Sequence, residues 1–450
     1  MQTTSFEKYV TPLFWSGLLL GLLLSLLYAE HQVLTGDQTQ MLFKGYLGAW
    51  GGTWLSYGNA ASAVGNVPGS LSAYLVGLPL LLWDSPYAPM LLLLVLRLVG
   101  YLLLDRLIQQ IFAPQIRLLF MLLYWLNPWF MYDNLLYNPS YLYLFAALHF
   151  WSAFHLRQKA SFVHTFLHVV AIGMAMQLHY SWPILGVISA YLFYRRQIRI
   201  HWLGLAVALL VIGASLIPYF QELMSNQAIA QNTDPEAQKR YIGWGGVHVY
   251  PVLKALIYWV RYGSWLFAER LINEAHFAWL SSSSLVQQLL TWTWRGVVYT
   301  LGGASVLLAL KANWFVWQQV KPFWLRNREA QPLQDEQWFA LYALAAVLAI
   351  FISAVLSPII FSYWHLIIAF PFALFPVVLL VRHWAQGQSQ QRIGRYLLLA
   401  ACYCLCVNLV AANDSRKFSY RVSFQEQVDS WLIEQQQQGN LPSQPYQLHP

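Results

Sequence analysis

Asp37 is the residue best placed to do chemistry. It is the only carboxylate between Glu30 and Asp84, and it follows an apolar run that closes at Ala29. A chain of that length can fold back to a membrane surface. A carboxylate there can take a proton from a hydroxyl as general base, or hold a cation. The plain alternative is a solvated aspartate at a Gly36-Asp37 turn. Arg97 comes next. A guanidinium inside an apolar run must pair, snorkel or meet a ligand. In "VLKALIYWVRYGSWLFAERL", Lys254, Tyr258, Arg261 and Trp265 share one helical stripe. That suits a helix lying in the membrane surface with its cations toward headgroup phosphates; an ordinary amphipathic loop helix gives the same pattern. Cys402, Cys404 and Cys406 lie two apart within an apolar run, where thiols fill packing gaps rather than bind metal.

The elements that must position these groups follow from composition. The chain is 58% hydrophobic and 10% charged, against about 25% charged in soluble domains. Its long apolar runs recur, so it is an all-α polytopic membrane protein. The first run, "LFWSGLLLGLLLSLLYA", lacks a basic leader and a small-residue cleavage site and reads as a retained span. The net charge of +8 is explained by loop cations that set orientation, not by nucleic acid. The run 71–83 is short and carries Pro79; it reads as interfacial or re-entrant. With it outside the membrane, Arg106, Arg117, Arg157, Lys159, Arg195, Arg196, Arg199, Lys311, Lys321, Arg326, Arg328, Arg382, Arg392 and Arg395 all fall on the inner side. About eleven transmembrane helices result, with the amino terminus inside, the carboxyl terminus outside, and further interfacial helices on the outer surface.

This topology makes residues 1–411 a transmembrane domain whose outer loops, about 30–86 and 221–294, form the active face. The polar, Gly-rich stretch "NQAIAQNTDPEAQKRYIGWGGVHVYP" is expected to be a lid. Residues 412–450 form an outer tail with one short amphipathic helix. Ser423 and Glu426 are expected to make its capping box, Phe424, Val428, Trp431 and Leu432 its apolar stripe, and Gly439 its stop. Nothing in the tail looks catalytic. Asp37, Asp133, Asn138, His179, Tyr363 and His365 all land at the outer surface, and polar groups converging on one face of a bundle define a candidate site. Asp133 also fits a turn residue, and the two histidines fit interface residues bonded to backbone.

The first outer loop carries a resemblance. "GDQTQMLFKGYLGAWGGTWLSYGNAASAVGNVPGSLSAYLVGLPLLL" has an acidic residue after the first span, a helix-like run, a Gly-rich turn and a second surface helix. It resembles the GT-C glycosyltransferases of the family 39 type, which include protein O-mannosyltransferases and the lipid A aminoarabinose transferase. Where that family usually has Asp-Glu, this chain has Asp37-Gln38, which makes Gln38 a further outer-face site candidate. Arg97 in the second span, Asp133 in "YDNLLYNPSYLYLF", His179 in "MQLHYSWPILG", and Tyr363 and His365 in "SYWHLIIAFPFALF" match further family positions. The resemblance covers about residues 12–381. It implies a polyprenyl-phosphate-linked sugar as donor, an inverting transfer to an acceptor hydroxyl, and Asp37 as general base. Arg97, Lys254 and Arg261 would face the donor phosphate. The acceptor, whether glycolipid, polysaccharide or protein, stays open, as does any divalent metal. A bacterial inner membrane with a periplasmic active site is the expected location. A transporter or flippase of a lipid-linked glycan is the competing reading; it needs a polar path through the bundle.

Overall fold

The computed structural model describes residues 7–61, 65–231, 249–266, 277–325, 333–357 and 361–442. The apolar runs fold as helices: α1 (Glu7–His31), α4 (Tyr87–Ile111), α5 (Pro114–Tyr124), α7 (Leu142–Leu156), α8 (Phe162–Met176), α9 (Pro183–Tyr194), α10 (Trp202–Ser225), α12 (Ser284–Leu325), α13 (Asp335–Leu356), α14 (Phe370–Ala385) and α15 (Gln390–Asn413). Shorter helices join them: α2 (Gly36–Gly51), α3 (Leu71–Leu82), α6 (Pro128–Tyr132), α11 (Val249–Tyr262) and α16 (Phe424–Gln437). Seven segments among the described residues are long and apolar enough to cross a membrane. The helices α5, α7, α8 and α9 have 11, 15, 15 and 12 residues, short of the roughly 20 that a bilayer core requires. The seven are therefore what length and composition support directly, and the figure of eleven needs those four to cross as well. At 42 residues, α12 rises about 63 Å, about twice the thickness of a bilayer core.

The helices sort the charges by end. At one end Arg117 pairs with Asp105 at 2.6 Å, Arg157 with Asp335 at 2.5 Å, and Arg382 with Glu336 at 2.5 Å. At the other end lie the close of α1, the α2–α3 module and the last hairpin. The module is tight because glycines allow it. A Cβ on Gly45 would fall 2.3 Å from Val76 Cγ1, and the Trp54 ring lies against both Gly48 and Gly77. Between α2 and α3 runs a two-stranded antiparallel hairpin, β1 (Tyr57–Ala61) and β2 (Gly65–Pro68). The run 71–83 is thus α3, a 12-residue helix packed on α2.

The tail docks at this same end. Strands β3 (Asp414–Ser415) and β4 (Phe418–Ser419) form a minimal hairpin, bridged to the end of α1 through Gln32 and Phe418. Gln427 of α16 donates to Gln32 O at 2.8 Å and accepts from Leu34 N at 2.9 Å. The α16 stripe buries Phe424, Val428 and Leu432. Ser423, expected to cap α16, makes no side-chain cap bond; its hydroxyl is engaged by Tyr87 instead. Gly439 stops the helix in the left-handed region at φ 71°.

Candidate functional site

The amino end of α2 is built to present Asp37. Gln38 reaches back so that its Oε1 accepts from Thr35 N at 2.9 Å and Thr35 Oγ1 at 2.8 Å. Its Nε2 donates to Gln32 Oε1 at 2.7 Å. Gln38 is thereby fully buried: it does not join Asp37 at the outer face as a site group but braces the turn from below. Asp37, its neighbour, is exposed. Its carboxyl is nevertheless raised above the ordinary range, because protein crowds it on several sides, while Lys417 nearby pulls it back down. Asn59 of β1 donates to Asp37 O at 3.0 Å and lies 3.5 Å from Asn138 Oδ1. Asn138 in turn donates to Leu178 O at 2.6 Å. One chain of amides thus joins the Asp37 turn, the segment after Asp133 and the corner at His179.

Asp133 closes α6 and is 1% exposed. Burial pushes its carboxyl up to about 6, against the pull of Lys417 and Arg97. Tyr137 OH donates to Asp133 Oδ1. Arg97 donates to Asp133 O at 2.9 Å and also to Phe130 O, and its guanidinium stacks on Phe130 at 3.9 Å and Tyr143 at 4.7 Å. Arg97 is 1% exposed. Its two terminal nitrogens are occupied by backbone carbonyls, so its expected role as a direct phosphate ligand gives way to one of holding the Asp133 turn.

The two α11 cations sit differently from each other. The helix does not lie alone in a membrane surface: it packs against α13, α14 and the 3-10 turn Tyr363–Ala369. Arg261 is buried, with its guanidinium 5.3 Å from the Trp129 ring and 5.5 Å from the Tyr258 ring. Tyr262 OH donates to Tyr363 O at 2.5 Å. Lys254 is half-buried, 6.0 Å from the Tyr250 ring, and its charge acts on His365. The His179 and His365 rings are 5.5 Å apart. Each has local backbone work: Ser181 N donates to His179 Nδ1 at 3.1 Å, and Ser362 N donates to His365 Nδ1 at 2.8 Å. Of the stretch expected to form a lid, residues 232–248 lie outside the described residues.

Sequence reasoning missed Lys417. Its Nζ lies 4.8 Å from the Tyr137 ring, 5.3 Å from Tyr363 and 5.8 Å from Tyr132. A signal was present: "DSRKFSYR" places three cations just past the last span, on a side otherwise nearly free of them. The structure therefore brings Asp37, Asp133 and Tyr363 under Lys417, with Asn138 tied to the Asp37 turn through Asn59, Arg261 across Trp129 and the histidine pair adjoining. No three His, Cys, Asp or Glu side chains among the described residues gather as a metal ligand set. A separate apolar groove of about 590 Å³ runs from Gly263–Trp265 past Leu119, Leu308 and Val377 to Gln388 and Arg392, toward the opposite end of the bundle; Asp37, Asp133 and Lys417 do not line it.

The fold is that of a polytopic all-α membrane protein. Among solved structures, ArnT from Cupriavidus metallidurans, bound to undecaprenyl phosphate, is similar with a TM-score of 0.53 at 11% identity. The match covers 88% of this chain and 64% of that one, so this chain spans under two thirds of its length. No family model matches the sequence, and no curated protein matches it.

Proposed function

We propose that the chain is a membrane glycosyltransferase that moves a sugar from a polyprenyl-phosphate donor to an acceptor hydroxyl. The observation that carries this reading is an exposed, crowded carboxylate, Asp37, under the charge of Lys417 and near the buried Asp133, at one end of an ArnT-like fold. Asp37 removes the acceptor hydroxyl's proton as its oxygen attacks the anomeric carbon. The bond from that carbon to the phosphate oxygen breaks, and the phosphate leaves with the electron pair, inverting the centre. Cations aimed at the leaving oxygen lower the barrier; Arg261, beside the Trp129 ring, and Lys254, whose charge reaches His365, are the candidates. Burying the donor's tail in the bilayer supplies proximity. Lysines and arginines concentrated at the opposite end support a cytoplasmic placement for that end and an outer-face site.

The transporter reading receives less support. Arg97 is sealed by carbonyls, and His149 and His168, at 2.7 and 2.9 Å from Ser189 Oγ, form a closed network rather than a lined path. The test is purified protein in vesicles with a panel of polyprenyl-phosphate sugars and glycolipid, polysaccharide and peptide acceptors. Donor-dependent release of polyprenyl phosphate with acceptor labelling is the expected result. Donor crossing the bilayer unchanged, with no transfer, would overturn the reading in favour of a flippase.

A further inference from the structure

The C-terminal segment carries more than docking contacts. Its two adjacent cations differ. Arg416 is exposed, whereas Lys417 is half-buried over three phenol rings. Lys417 holds that place because the hairpin is fixed on every side. Lys417 O accepts from Val33 N at 2.8 Å. The next residue, Phe418, is fully buried, edge-on to Tyr28 at 4.7 Å and to Tyr132 at 5.4 Å. Ser415 Oγ donates to Ala411 O at 2.6 Å, tying the hairpin to the end of α15. Gln427 then clamps α16 to the residues that lead into α2. A solvated tail cation needs none of this.

We propose that Lys417 is a positioning residue of the transfer reaction: from the C-terminal hairpin it supplies the positive charge that Asp37 and Asp133 share, so that the tail completes the active site. The inference rests on reading Asp37 as the general base. The geometry is closed on both sides. Tyr137, whose ring lies 4.8 Å from Lys417 Nζ, donates its hydroxyl to Asp133. Val33, bonded to Lys417 O, precedes Asp37 by four residues. Asp37, at the start of α2, feels the charge of Lys417 on the hairpin. Asp133 faces Lys417, Arg97 from α4, Tyr137 from its own turn and Tyr143 from α7. A general base must be ionised to act. Crowding favours the neutral carboxyl, and the lysine opposes it. Once the acceptor proton has moved to Asp37, the lysine's charge is less matched on that side and is available to the departing phosphate.

The test uses the full-length protein with Lys417→Met, Lys417→Arg and Asp37→Asn. In Lys417→Met the acid limb of kcat/KM moves to higher pH, with a loss of roughly ten-fold or more near pH 6 that narrows as pH rises. Lys417→Arg keeps the wild-type limb. An unshifted acid limb in Lys417→Met, whether turnover is kept or lost, overturns the proposal, because a merely structural lysine moves rate and not pH dependence. Full turnover in Asp37→Asn instead overturns the base reading itself. A substrate-free readout accompanies these: thermal melting between roughly pH 4.5 and 7.5. Removing the lysine raises both folded carboxyl pKa values, so Lys417→Met loses more stability over that rise than wild type. Adding Asp37→Asn to Lys417→Met shrinks that extra loss. Parallel melting curves for Lys417→Met and wild type contradict the inference.

Discussion

Asp133 and Lys44 are buried ionisable groups whose responses to pH have opposite signs. Burial lifts Asp133 from 3.8 to about 6 in the folded chain, so the fold binds a proton that the unfolded chain has released. Stability tied to this group is present below about pH 3.8 and is lost as pH rises through about 6. Asp133→Asn is expected to remove that decline, and to lower turnover far less than a change at Asp37; melting curves against pH and a transfer assay check the two parts. Lys44 is 4% exposed, with one long bond of 3.4 Å to Gln40 O. Desolvation lowers it from 10.5 to about 8, a cost of about 3 kcal/mol for the charged form. The fold therefore gains stability as pH rises from about 8 to about 10.5. Lys44→Met is expected to raise the melting temperature at pH 7 and to lose its advantage by about pH 10.5; an unchanged melting temperature at pH 7 would remove the desolvation argument. At this scale the sequence was partly legible. Asp37 stood out as a lone carboxylate after a span. Lys417 did not, because a cation beside a chain end reads as solvated until a hairpin is known to fold it inward. Arg97 stood out for the right reason, its cost in an apolar run, but nothing in one dimension reveals that two carbonyls already hold it.

The elements that aim Asp37 are held by close backbone contact. Gly45 faces Val76 and Gly77 across the α2–α3 interface, where a Cβ has no room. Gly45→Ala must push α2 off α3, at about 1–3 kcal/mol, and a displacement near 1 Å at the base can cost about 10²-fold in rate. The expected outcome is a lower melting temperature with a larger proportional fall in turnover than Gly36→Ala, a position where a Cβ meets nothing within 4 Å. Equal behaviour of the two variants would contradict the α2–α3 contact. Apolar periodicity revealed almost every helix, the 12-residue α3 among them. It could not reveal how α11 docks. A stripe of Lys254, Tyr258 and Arg261 looks the same whether it meets lipid headgroups or the Trp129 ring. Nor could it set the ends of α12, whose apolar pattern is interrupted by the Gln287-Gln288 and Gln318-Gln319 pairs.

For the whole molecule, the segregation of charge by end is the main evidence for how it sits in a bilayer. Cysteine labelling tests it after Cys402, Cys404 and Cys406 are replaced. A cysteine at Thr53, exposed beside the site, is expected to react with impermeant reagent from outside only, and one at Lys159, exposed at the far end, from inside only. Reaction of both from one side would contradict the alternation of the spans. The fold class was legible from composition alone, since so low a charge content leaves lipid as the solvent. The tail's share in the site was not, since it depends on contacts hundreds of residues apart, such as Gln32 with Phe418. The proposed activity turns on Asp37 as the base of a sugar transfer. Turnover of purified Asp37→Asn, with undecaprenyl phosphate binding measured alongside, checks that role. A base at this position means a fall of roughly 10²–10⁴ in turnover with binding retained; wild-type turnover in this variant would rule the base out.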